Sequence, residues 1–158
     1  MSGECHPLPN IRLKHSVTMQ TSLGLRLLKM FLAFAAVAWG VSVFGVFLSW
    51  SKASQLLQGL GAKPIAYDPM LDYWLRMASG AFFLVGVLYL VLMWHPQKYQ
   101  NIIPSFGWLM IAEVVVLLAH GVRLSLPPLP FYADTAACLL DGAGIVFCSK
   151  YAKHGNLN

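Results

Sequence analysis

The chain has 158 residues, of which 58% are hydrophobic and 11% charged, with a net charge of +5. A typical soluble domain has roughly 25% charged residues, so this composition points to lipid as the solvent for much of the exterior. The length suits a single domain, and the basic excess reads as a determinant of membrane orientation, with no nucleic-acid partner implied.

Residues 1–24, which include Arg12 and Lys14, read as a flexible basic tail. The first apolar run, 30–50, has no charged residue and is flanked by Arg26, Lys29 and Lys52. At about 1.5 Å per residue it spans roughly 31 Å, the thickness of a bilayer core. It is too long for the h-region of a signal peptide, and no convincing cleavage site follows. The predicted helix is 27–50. In the connection that follows, Leu56, Leu57, Leu60 and Gly61 predict a short amphipathic helix lying at the membrane interface.

Asp68-Pro69 reads as an N-cap with proline in the first turn, and His95-Pro96 as a stop, which gives a second helix over 69–94. Tyr73 and Trp74 suit one interface and Trp94 the other. The third helix, 103–124, carries Glu113 near its centre and His120 and Arg123 near its end, before Pro127 and Pro128. The fourth, 131–149, contains Asp134 and Asp141, and 151–158 reads as a C-terminal tail. The expected fold is therefore all-α: a polytopic four-transmembrane-helix bundle over 25–150, with short loops that make sequence neighbours antiparallel. Seven of the eleven basic residues fall on the side of the termini, which predicts both termini in the cytoplasm.

This topology sorts the charged residues by depth. Arg76, His120, Arg123 and Asp134 lie toward the outer ends of their helices. Glu113 and Asp141 lie about 15–17 Å below the outer boundary, near the midplane. Glu113 and His120 are seven residues apart, as are Asp134 and Asp141, so each pair returns to nearly one helix face. Cys138, Ile145 and Cys148 extend the stripe on the fourth helix, and the polar faces of helices three and four are expected to meet. A mid-membrane Asp costs about 2.5–3.5 kcal/mol on insertion scales, against about −0.3 to −0.6 for each Leu, Ile, Phe or Val. Two carboxylates at one depth would also repel each other if both were ionised. The six residues Glu113, Asp141, His120, Asp134, Arg76 and Arg123 form the candidate intramembrane polar site. In the outer layer, an Asp72–Arg76 pair on one helix, or Arg76 or Arg123 bridging Asp134, is a structural alternative.

No catalytic set is legible: there is no HExxH, P-loop or nucleophile elbow. His95 and His120 sit at opposite depths, which argues against a bis-histidine haem. His120 with Asp134 is too small a ligand set to imply a metal. Cys5, Cys138 and Cys148 form no disulfide framework. Gly142, Gly144, Ala133 and Ala137 read as close-packing positions, and Trp39 as filler. No cofactor is expected.

The stretches YDPMLDYWLRMASGAFFLVG (67–86), IIPSFGWLMIAEVVVLLAHGVRL (102–124) and PFYAD (130–134) resemble a group of small bacterial four-helix membrane proteins known as a domain of unknown function. The resemblance covers roughly residues 30–150. It implies a bacterial inner-membrane protein and supplies no activity. Three functional readings follow. The leading one is a non-catalytic membrane protein, either an accessory subunit with protein partners or a standalone bundle. The second is a proton-coupled carrier working as a homodimer, with Glu113 and Asp141 as proton-binding groups. The third is an enzyme or binding protein for a lipid-like substrate, using His120, Asp134 and Glu113.

Overall fold

The computed structural model describes the backbone of residues 11–154 and the side chains of residues 23–152 apart from Pro130. Six helices follow in order: α1 (Ile11–Gly40), α2 (Val43–Phe47), α3 (Trp50–Gly59), α4 (Pro69–Trp94), α5 (Ile103–Arg123) and α6 (Pro128–His154). Among the described residues, four stretches are long and apolar enough to cross a membrane: Leu23–Phe47, Pro69–Trp94, Ile103–Arg123 and Phe131–Ala152. The protein is an all-α, multi-pass membrane helix bundle.

Two expected boundaries move. The tail expected through residue 24 gives way to helix from Ile11, because 11–23 contain neither proline nor glycine to stop it. Gly24 then packs on the far end of α6, where a Cβ would lie 3.2 Å from that of Tyr151. α6 correspondingly continues past the expected stop at 149 to His154. Ser149 does not end the helix, since its hydroxyl donates back to the Val146 carbonyl at 2.9 Å. The parts of the two expected tails at 1–10 and 155–158, with Cys5, lie outside the described residues.

The first membrane span is also broken rather than continuous. At Ser42 the side-chain hydroxyl lies 2.6 Å from the Trp39 carbonyl and 3.0 Å from that of Ser79 on α4. The backbone there tightens to three-residue bonds, Ser42 to Trp39, Phe44 to Val41 and Gly45 to Ser42. A serine hydroxyl competing for helix carbonyls produces this kind of local distortion. Leu48 is extended, and α3 restarts at Trp50.

Local signals hold elsewhere. α3 ends in a Schellman motif: Gly61 has φ +100, with Ala62 N–H donating to Leu57 and Gly61 N–H to Gln58. At the start of α4 the Asp68 carboxylate accepts from Met70 and Leu71 N–H at 2.8 and 3.3 Å. Leu129 is pushed out of the helical region (φ −104, ψ 124) by the proline that follows it, so regular α6 begins at the expected place.

The packing order differs from the chain order. α1 lies between α4 and α6, α5 packs on α6, and α2 packs on α4. α4 and α5, although joined by a short loop, make only minor contact, through Tyr89 and Phe106 at their linked ends. Small residues explain the preference. Gly86 of α4 faces the backbone of Gly40 and Ala36 of α1, and Gly107 of α5 faces Gly142 of α6. Gly144 accommodates Phe31 of α1, whereas Ala133 is exposed and Ala137 only partly covered, so these two do not form a seam. The buried core combines Leu28, Leu32 and Ala35 with Tyr89 and Leu92, Ile103, Met110 and Val114, and Cys138, Ile145 and Cys148. Trp39 packs against this core and against Phe82, with ring centroids 5.2 Å apart.

Candidate functional site

The buried face of α6 runs through Phe131, Thr135, Cys138, Asp141, Ile145 and Cys148 at helical spacing. It brings one carboxyl into the interior. Asp141 is 1% exposed, and neither of its carboxyl oxygens has a hydrogen-bond partner among the described residues. The backbone around it is tightly held: a Cβ on the adjacent Gly142 would lie 2.8 Å from the Gly107 carbonyl oxygen and 3.1 Å from the Met110 Cβ. A buried ionised carboxylate without a partner costs several kcal/mol, whereas an unsatisfied neutral polar group costs roughly 1–3 kcal/mol.

The expected meeting of two polar faces occurs only in part. Cys138 lies one turn from Asp141 on the buried face of α6, which packs against α5. Glu113 is half-buried beside the α5 core positions Met110 and Val114. Asp134 is exposed, although it lies seven residues from Asp141. In the first turn of regular α6 the covered positions are Phe131 and Thr135 instead.

The outer-layer residues separate. Arg76 pairs with Asp72 at 3.1 Å, and its Nη1 donates to the Val46 carbonyl at 2.6 Å. Val46 lies in the last turn of α2, where carbonyls lack helical donors and a cation is favoured. Arg76 is thus a clamp between α4 and α2, and the bridge to Asp134 considered from the sequence does not form. Arg123 is exposed, and no ion pair joins it to Asp134. His120 is exposed too, with Nδ1 3.0 Å from the Val116 carbonyl of its own helix. Of the six candidates, Asp141 and Glu113 line the interior or its edge, and the other four do not join them.

Tyr89 is the participant that the charge pattern does not reveal. It is 2% exposed on α4 and belongs to the same buried core as Cys138. Its hydroxyl donates to the Phe106 carbonyl at 3.4 Å, with the two rings 5.6 Å apart. The available signal is a tyrosine in the otherwise apolar last turns of α4, since a buried phenol needs an acceptor. Among the described residues, no group of three His, Cys, Asp or Glu side chains is placed to hold a metal.

The site defines a class, a multi-pass helix bundle built around an isolated buried carboxyl. Comparison with protein-family models, with curated proteins and with solved structures finds no match.

Proposed function

We propose that this chain is a small, non-enzymatic protein of the bacterial cytoplasmic membrane with both termini cytoplasmic, working as a proton-coupled carrier in which Asp141 binds and releases the proton. The observation that supports this reading is the Asp141 carboxyl, enclosed by the bundle with no hydrogen-bond partner for either oxygen among the described residues. A proton is the ligand that removes its charge and needs no added space. Four helices enclose little volume, so the working unit is a homodimer. The resemblance of 67–86, 102–124 and 130–134 to small bacterial four-helix proteins supports the compartment, and the distribution of basic residues supports the orientation.

The test uses purified protein in vesicles loaded with pyranine and challenged with fractionated small-molecule extract from bacterial cells. One or more fractions should drive an internal pH change that Asp141→Asn abolishes. Identical traces from wild type and variant across all fractions would reject the carrier.

A second reading is favoured by Glu113. Its carboxyl is half-buried at mid-span and has no partner among the described residues, so a second protein could cover it as part of a larger membrane complex. Native mass spectrometry from gently solubilised membranes should then show a different protein bound, lost in Glu113→Leu. Recovery of this chain by itself would count against it.

A further inference from the structure

We propose that α3 and the loop after it form a docking surface for anionic phospholipid, with Lys52 and Lys63 holding headgroup phosphates and Leu56 and Leu60 lying against the acyl chains. The inference needs only the membrane bundle and is independent of the Asp141 reading.

The depth of α3 follows from its two ends. It starts at Trp50, just after the first span ends at Phe47, and the chain re-enters the membrane at Pro69. At its far end Gly61 packs on Pro127, which lies between the third and fourth spans: a Cβ at Gly61 would be 2.6 Å from the Pro127 Cγ. Both ends are thus held at one end of the bundle, so this helix of 10 residues, about 15 Å long, runs along the membrane surface. Aromatic rings mark the same level. Trp50 meets Tyr67 edge-on with ring centroids 5.6 Å apart, and Tyr67, Tyr73 and Trp74 are exposed, as amphipathic rings are at the headgroup boundary.

The faces of α3 divide its contacts. Ala53 is buried on the bundle, and Ser51, Gln55 and Gln58 are exposed on the opposite side. Along one edge between them run Lys52, Leu56 and Leu60, in steps of four residues. Leu56 and Leu60 are 59% and 51% exposed, so the bundle leaves this apolar edge open. A lysine one turn from an open apolar edge suits a phosphate above acyl chains, because its stem is apolar and its head seeks the polar layer.

Charge selects the lipid. Residues 48–67 contain Lys52 and Lys63, both exposed, and no acidic residue. The next carboxylates along the chain are engaged: Asp68 accepts from Met70 and Leu71 N–H, and Asp72 pairs with Arg76. Arg123 and Asp134, exposed at the same end, contribute one charge of each sign. Lys52 also lies in the first turn of α3, where the helix dipole disfavours a cation. Helix stability therefore does not account for it, whereas a phosphate beside it suits both the lysine and the dipole.

The experiment is native mass spectrometry of the full chain in detergent, titrated with equimolar phosphatidylglycerol and phosphatidylcholine of identical acyl chains. Wild type should retain phosphatidylglycerol preferentially. Each lysine near an anionic surface is worth roughly fivefold in partitioning, so Lys52→Gln/Lys63→Gln should lower that preference by about fivefold or more, and Lys52→Arg/Lys63→Arg should keep it. These substitutions fall on exposed side chains and leave the packing untouched. Lys29→Gln/Lys150→Gln removes the same charge from exposed positions at the other end of the bundle and should lower the preference less. An unchanged preference in Lys52→Gln/Lys63→Gln, or an equal loss in the two glutamine variants, would overturn the site.

Discussion

Gly86→Ala tests the packing that places α1 at the centre of the bundle. A Cβ at Gly86 would lie 2.5 Å from the Gly40 nitrogen, 2.7 Å from its Cα and 2.9 Å from the Ala36 carbonyl oxygen. All three are backbone atoms, so no side chain can swing aside. Ordinary contact begins near 3.4 Å, which requires α1 and α4 to separate locally by about 0.9 Å at the closest atom. A gap of 0.5–1 Å forfeits a quarter to a half of the dispersion attraction along the seam, and overpacking typically costs about 1–3 kcal/mol. Gly80, on the same helix, provides the control. Its added Cβ would meet nothing closer than the Val46 Cγ2 at 4.0 Å, so Gly80→Ala should gain about 0.5–1 kcal/mol of helix preference. Reversible unfolding in mixed micelles, followed by ellipticity, should show the two variants displaced in opposite directions from wild type. Equal stability of Gly86→Ala and Gly80→Ala would refute the α1–α4 close approach.

Asp141→Val should stabilise the bundle by about 1–3 kcal/mol, since it removes unsatisfied buried polar atoms from a site of similar volume; Asp141→Asn, which keeps them, should not. A loss of stability in the valine variant would mean that the carboxyl makes a contact absent from this account. Arg76→Ala should release α2 from α4 by removing the bond to Val46, read as faster amide hydrogen exchange over 43–48 with exchange in α5 and α6 unchanged. Asp68→Ala should cost about 1 kcal/mol through loss of the α4 cap, and Asp68→Ser should recover most of it; equal stability of the two variants would contradict the capping role.

Much of the architecture is legible in the sequence because it rests on local physics. Twenty-odd apolar residues in a row, an Asp-Pro cap, a glycine at the end of α3 and a proline after Leu129 each act within a few residues. The break at Ser42 was hidden because it depends on a carbonyl of Ser79, 37 residues away. The helix order was hidden for the same reason. Loop length suggests that α4 should pack on α5, but Gly86 and the Gly107–Gly142 pair make the α1–α4 and α5–α6 seams closer. At the site, Asp141 is buried and Glu113 half-buried, whereas Asp134, His120 and Arg123 are exposed. The seven-residue rule then overstates the stripe, placing Asp134 and His120 on faces that their neighbours do not cover. Tyr89 is not legible because an uncharged phenol in an apolar run looks like core filler until its hydroxyl is seen to donate to the Phe106 carbonyl of α5.

The proton-binding role of Asp141 is the claim on which the functional account stands, and a proton count measures it directly. Wild type and Asp141→Asn, purified in the same detergent and titrated in unbuffered solution against a pH indicator, differ by that one carboxyl. Wild type should take up a single additional proton per chain between alkaline and acidic pH, and the difference should persist in a Glu113→Gln background. Superimposable titration curves for the two proteins would contradict the account.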